Sequence, residues 1–140
     1  DDETINAVSF FTADDDVAYT VRIYDDFDGT DLSNLLAEAE GTIAHRGLHT
    51  IDVNDVNVSK GEDFFVYLYL SSGGHPYDRT SDVPVLLGAQ YRVIVPSTAE
   101  PGQSYYKDGA NWLDFYDYDD GSGFTGTGNF CIKALAVSNP

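Results

Sequence analysis

The stretch "VAYTVRIY", residues 17–24, alternates without a break. Val17, Tyr19, Val21 and Ile23 fall on one side, and Ala18, Thr20, Arg22 and Tyr24 on the other. Successive side chains of a strand point to opposite faces, so this pattern buries one face and leaves the other in water. The neighbouring segments carry related signals. "INAVSFFT" (5–12) runs into the acidic turn "ADDD", and "AQYRVIV" (89–95) alternates and stops at Pro96. "DFFVYLYL" (63–70) is apolar on both faces and reads as a central strand. "TIAHRGLHTIDV" (42–53) reads as a hairpin turning at Arg46-Gly47, and "QSYYKDG" and "NWLDF" flank a second turn at Asp108-Gly109. "NFCIKALAV" (129–137) is the last apolar run. Only "LSNLLAEAEG" (32–41) looks helical, with Ser33 as its cap and Gly41 as its stop. About eight or nine short antiparallel strands, with a turn roughly every ten residues, point to an all-β jelly-roll sandwich with at most one short helix.

The chain has 140 residues, the size of one domain. A chain this long buries about 68% of its unfolded surface, enough for a core without staples. Neither an internal repeat nor a linker divides it, so 1–140 reads as a single sandwich domain. No apolar run reaches the ~18 residues of a membrane-crossing helix. The opening "DDETINAV" is acidic and does not read as a signal peptide, so the signal of a secreted parent would lie outside this segment or have been removed. Cys131 is the sole cysteine, which excludes an intrachain disulfide; its apolar neighbours predict a small buried side chain rather than a reactive thiol.

Charge narrows the partners. Seven Lys and Arg face 24 Asp and Glu, a formal net of -17. Nucleic acid and anionic lipid both require a basic face and are excluded. Nineteen of the acids are Asp, a residue of turns, caps and metal loops. Two explanations stand side by side: hard-cation binding on loops, or a solubilising surface suited to high salt.

The ordered segments "AVSFFTADDDVAYTVRIYDDFDGTDLSNLLAEAEGTI", "GLHTIDV", "GEDFFVYLYL", "PGQSYYKDGANWLDF" and "GNFCIKALA" resemble a lectin-like domain. That domain occurs in secreted and surface proteins of bacteria and archaea, often beside papain-like cysteine proteases. The resemblance covers about residues 6–136. It implies a jelly-roll sandwich, an extracellular or cell-surface setting, neighbouring domains in a parent protein, and an accessory binding role toward a glycan or surface ligand. Calcium occurs in similar proteins. The protease's own Cys-His motifs are absent from the chain.

Read residue by residue, the acids gather in "DDD" (14–16), "DDFDGTD" (25–31) and "DYDDGSG" (117–123). Calcium takes about six to eight oxygens, which such loops can supply, although none has the EF-hand spacing. The candidate calcium ligands are Asp117, Asp119 and Asp120 first, then Asp25, Asp26 and Asp28; the competing reading is a solvated acidic turn. Aromatic rings stack on sugars while a few polar groups bind their hydroxyls. The candidates for that role are Tyr67 and Tyr69 on the 63–70 strand, and Tyr116, Tyr118 and Trp112 near the third acidic cluster. Tyr105, Tyr106 and Phe65 stand beside them. Trp112 also reads as a core residue of its hairpin. Tyr116 and Tyr118 alternate with Asp117 and Asp119, which places the rings on one face and the acids on the other. His45 and His49 are four apart across a turn, where the helical zinc-site logic fails, and His49 reads as structural. No nucleophile elbow, phosphate loop or dinucleotide fingerprint occurs, so no catalytic residue is assigned and the expectation is a protein that is not an enzyme.

Overall fold

The computed structural model describes residues 2–86, 88 and 90–139. The chain divides into two compact units, Asp1–His75 with Cys131–Pro140, and Pro76–Phe130. Among the described residues there are twelve strands, several only two to four residues long, and no helix long enough and apolar enough to cross a membrane.

The first unit is the expected antiparallel sandwich. It contains β1 (Glu3–Thr12), β2 (Val17–Phe27), β3 (Leu32–Ile43), β4 (Gly47–Val58), β5 (Phe65–Leu70) and β12 (Lys133–Ser138). One sheet has the order β12-β1-β4 and the other β3-β2-β5. Ile5, Val8 and Phe10 of β1 and Val56 of β4 pack against Val21 and Ile23 of β2 and Ala37 and Ile43 of β3. Burying a side chain of the Val, Ile or Phe kind stabilises by about 1.5–3 kcal/mol, so this shared core is what holds the two sheets together. A bulge between Ile5 and Ala7 moves the inward positions of β1 from odd to even, which is why Ile5, Ala7, Val8 and Phe10 are all buried.

The segment expected to be a helix is β3. Its Leu-Ala-Glu composition favours helix, but residues from Leu32 to Ile43 pair with β2, and Ala37 and Ile43 enter the core. Burial and ladder pairing outweigh a local preference of a few tenths of a kcal/mol per residue, roughly. Gly41 is no helix stop. It lies opposite Tyr19, and a Cβ there would stand 2.7 Å from the Tyr19 hydroxyl, so the missing side chain leaves room for that ring. Tyr19 in turn packs at 5.8 Å against Phe10.

Two further expectations are corrected. The turn at Arg46-Gly47 does not close a hairpin, because β3 pairs with β2 while β4 pairs with β1; it carries the chain from one sheet to the other. Nor is β5 the central strand. It pairs along β2 at the edge of its sheet, and β2 is central. The apolar character of β5 on both faces has two causes: Val66, Leu68 and Leu70 pack on the core, while Phe65, Tyr67 and Tyr69 alternate with them on the outer face.

The second unit is made of ribbons: β6 (Tyr77–Asp78) with β11 (Asn129–Phe130), β7 (Ser81–Pro84) with β8 (Arg92–Val95), and β9 (Tyr105–Asp108) with β10 (Asn111–Asp114). The β9–β10 hairpin forms as expected, with its two loop residues Gly109 and Ala110 one position later than the sequence signal. Gly109 has φ +62°, the requirement for the first loop position of a type II′ turn. A 3-10 turn, Phe115–Asp117, follows β10. Phe115 is buried among the rings of Phe130 at 4.4 Å, Tyr77 at 4.9 Å, Tyr118 at 5.1 Å and Tyr106 at 6.1 Å. The ribbon β7–β8 leaves Val93, Ile94 and Val95 exposed. The run "NFCIKALAV" is not one strand; it splits into β11 and β12, with the half-buried Cys131 between them.

Candidate ligand-binding face

The outer face of the β3-β2-β5 sheet follows from the register. Arg22 of β2 lies opposite Tyr67 of β5 on one side and Glu38 of β3 on the other. One step along, Thr20 lies between Tyr69 and Glu40. Val21, facing inward, is fully buried, so these two rows point away from the core.

The first row is closed on itself. The Arg22 guanidinium sits 5.7 Å from the centre of the Tyr67 ring and bonds the Glu38 carboxylate. Its second arm stands 3.8 Å from Glu40. The hydrogen bond to Glu38, more than any other contact, holds the guanidinium pKa above its ordinary value. A planar cation over a tyrosine face is a favourable stack, and it covers that side of Tyr67.

The second row is open. Tyr69 is 53% exposed. The Thr20 hydroxyl donates to Glu40 Oε1 at 3.3 Å, and the Glu40 side chain is 59% exposed. An exposed ring beside a hydroxyl and a carboxylate on a rigid sheet is a surface that stacks a flat apolar face and binds hydroxyls at its rim.

The remaining predicted residues form other arrangements. Asp114 caps the 3-10 turn: Oδ1 accepts from the Tyr116 N–H at 3.0 Å, and Oδ2 from the Gly102 N–H at 2.7 Å. Because Phe115–Asp117 is a turn, the alternation read for 116–119 does not apply. The Tyr118 ring instead stacks on Phe115, 5.1 Å away with 17° between the planes, and Tyr118 remains 41% exposed. Tyr116 packs toward Gly126, where a Cβ would stand 3.1 Å from its ring. Trp112 is half-buried, with the Lys107 ammonium 5.6 Å from its ring centre. A shallow recess bounded by Tyr77, Arg79, Phe115, Tyr118, Asp120 and Phe124 has a cavity volume of about 10 Å³, room for a water and not for a saccharide.

The acids brace their own loops. Asp120 receives Arg79 through Nε at 3.0 Å and Nη1 at 3.3 Å, the Tyr77 hydroxyl at 3.0 Å, and the Ser122 N–H at 3.0 Å. The Ser122 bonds, ahead of Tyr77 and Arg79, hold the Asp120 carboxyl below its ordinary range, and the Asp120 bond pushes the Tyr77 hydroxyl up. Asp119 accepts from the Gly121 N–H at 2.8 Å, and Asp117 lies on the 3-10 turn. Asp28 accepts from the N–H groups of Thr30 and Asp31, both at 2.8 Å, and these bonds hold its carboxyl low. Asp25 and Asp26 sit exposed at the end of β2, where Asp26 accepts from Ser33. Among the described residues no three His, Cys, Asp or Glu side chains gather into a group able to hold a metal ion.

The family model for the lectin-like domain matches residues 1–136. The chain belongs to the lectin-like domain family. No curated protein and no solved structure matches it significantly. Within this lectin-like chain, the residues that sequence reasoning passed over are Thr20, Arg22, Glu38 and Glu40. Thr20 and Arg22 were already on the polar side of the β2 alternation. Glu38 and Glu40 were hidden because their segment reads as helix, although the period-two run Ala37-Glu38-Ala39-Glu40 is a strand signal.

Proposed function

We propose that the chain is a non-catalytic binding module of an extracellular or cell-surface protein, and that it holds a glycan on the outer face of the β3-β2-β5 sheet. The supporting observation is the second row of that face. Tyr69 presents an exposed ring, and Thr20 and Glu40 place hydrogen-bonding groups beside it on the same rigid surface. The exposed apolar ribbon β7–β8 gives such a module a surface for a neighbouring domain of the parent protein, a protease among the candidates.

A glycan array followed by calorimetry tests the reading. Tyr69→Ala should remove most glycan affinity, by about tenfold or more, with an unchanged melting midpoint, because the ring lies outside the core. Tyr118→Ala and Trp112→Ala should leave affinity within about twofold. Loss on Tyr118→Ala with Tyr69→Ala intact would move the site to the second unit.

The second reading is a structural spacer, stabilised by calcium or adapted to salt, with no small ligand. Its support is the density of Asp in three loops. For calcium, Asp120 would have to release Arg79, and Asp28 would have to release two backbone N–H groups. Absence of binding to every glycan on the array would favour this reading.

A further inference from the structure

We infer that the saccharide taken by this face carries a protonated amine, held by Glu40 while its ring stacks on Tyr69. The inference rests on the glycan reading above and adds the chemical class. Charge carries it. The two rows hold two carboxylates, Glu38 and Glu40, and one cation, Arg22. Arg22 is committed to Glu38 and to the Tyr67 ring, so the Tyr67 row is neutral and closed. Glu40, on the exposed row, accepts from the Thr20 hydroxyl at 3.3 Å and has only the far arm of Arg22, at 3.8 Å, for a cation, which it shares with Glu38. The face therefore carries a net negative charge beside its open ring, within a chain of net charge -17. Uronic and sialic acids are repelled there, while an ammonium gains a charge-assisted hydrogen bond.

The reach is right. Tyr69 and Glu40 are separated by one intervening strand, a span of about 10 Å. Glu40 shortens that span, since its Oε1 reaches the Thr20 hydroxyl on the intervening strand at 3.3 Å, and the exocyclic amine of a pyranose stacked on the tyrosine has to reach only that carboxylate. The Thr20 hydroxyl lies midway, placed to meet a ring hydroxyl.

The test is calorimetric titration with three hexasaccharides: glucosamine, N-acetylglucosamine and galacturonic acid. It is run at mildly acid pH, with hexalysine as a fourth probe. Glucosamine should bind about tenfold tighter than its acetylated counterpart. Glu40→Gln should bring the two together, with the larger loss, about tenfold, on glucosamine. The galacturonic oligomer should not bind. Equal or tighter binding of the acetylated oligomer overturns the amine and keeps the face as a glycan site. A glucosamine preference that survives Glu40→Gln, or hexalysine binding as tightly as glucosamine, reduces the effect to general attraction to an acidic chain and overturns it as well. If Tyr69→Ala leaves every titration unchanged, or no saccharide binds, the glycan reading itself falls.

Discussion

At the scale of single residues, two side chains of the same type on neighbouring strands do opposite work. Tyr19 faces in and Tyr69 faces out, and the difference is legible in what lies across from each. Tyr19 needs Gly41, whose missing Cβ leaves room for the ring against Phe10. Gly41→Ala forces that ring to move and should cost about 1–3 kcal/mol in denaturant melts, as overpacking does. Combining it with Tyr19→Phe removes the nearest clashing atom, so the double variant should lose less than the sum of the two singles. Additive losses would show that Gly41 matters for some reason other than the ring. Tyr69, opposite Thr20, has no such dependence, which is why its truncation should be visible in ligand titrations and silent in melts.

At the scale of elements, turn chemistry is the most portable signal and pairing the least. The β9–β10 hairpin shows the first. Gly109 has φ +62° and open space around it, so only backbone conformation constrains the position. Gly109→Ala should therefore cost about 1 kcal/mol or more in denaturant melts, and Ala110→Gly clearly less, because only the first loop position of this turn has φ above zero. Equal costs for the two would place the constraint elsewhere. β3 shows the second. Its Leu-Ala-Glu composition favours helix against one short period-two run; what decides is β2, joined to it through the loop 28–31, with an edge to pair and a core to share. The same non-local choice sends the chain across the sheets at Arg46-Gly47 and puts β5 at an edge. The candidate face was half visible for this reason. Tyr67 and Tyr69 could be read as one side of a strand, but Glu38 and Glu40 come to them only through pairing, and the closing of Tyr67 by Arg22 requires all three strands.

At the scale of the whole molecule the governing quantity is a net charge of -17, which opposes compaction through self-repulsion. Acid acts on it in two opposing ways. Protonation first relieves repulsion as pH falls from 7, so the midpoint should rise. Asp28 and Asp120 then set the limit. Their folded carboxyls lie below the ordinary 3.8, so the stability they contribute is full above that value and is lost as pH falls through their folded range. The midpoint should therefore pass through a maximum above about pH 4 and drop below it. Asp120→Asn should lower the midpoint at neutral pH by several degrees and flatten the acid limb. At the alkaline end, Tyr77 bonded to Asp120 is held protonated above its ordinary range, and its contribution is lost as pH climbs through that region. Salt separates the two meanings of the aspartates. If the loops are internally braced, as Asp28, Asp119 and Asp120 are, added cations act by screening, and sodium should do what calcium does. The midpoint should rise with sodium chloride, and about 1 mM calcium at matched ionic strength should leave it unchanged relative to EDTA. A calcium-specific rise would mean that Asp120 exchanges Arg79 for the ion. Asp120→Asn and Asp28→Asn, melted with and without calcium, would then show which of the two loops captures it.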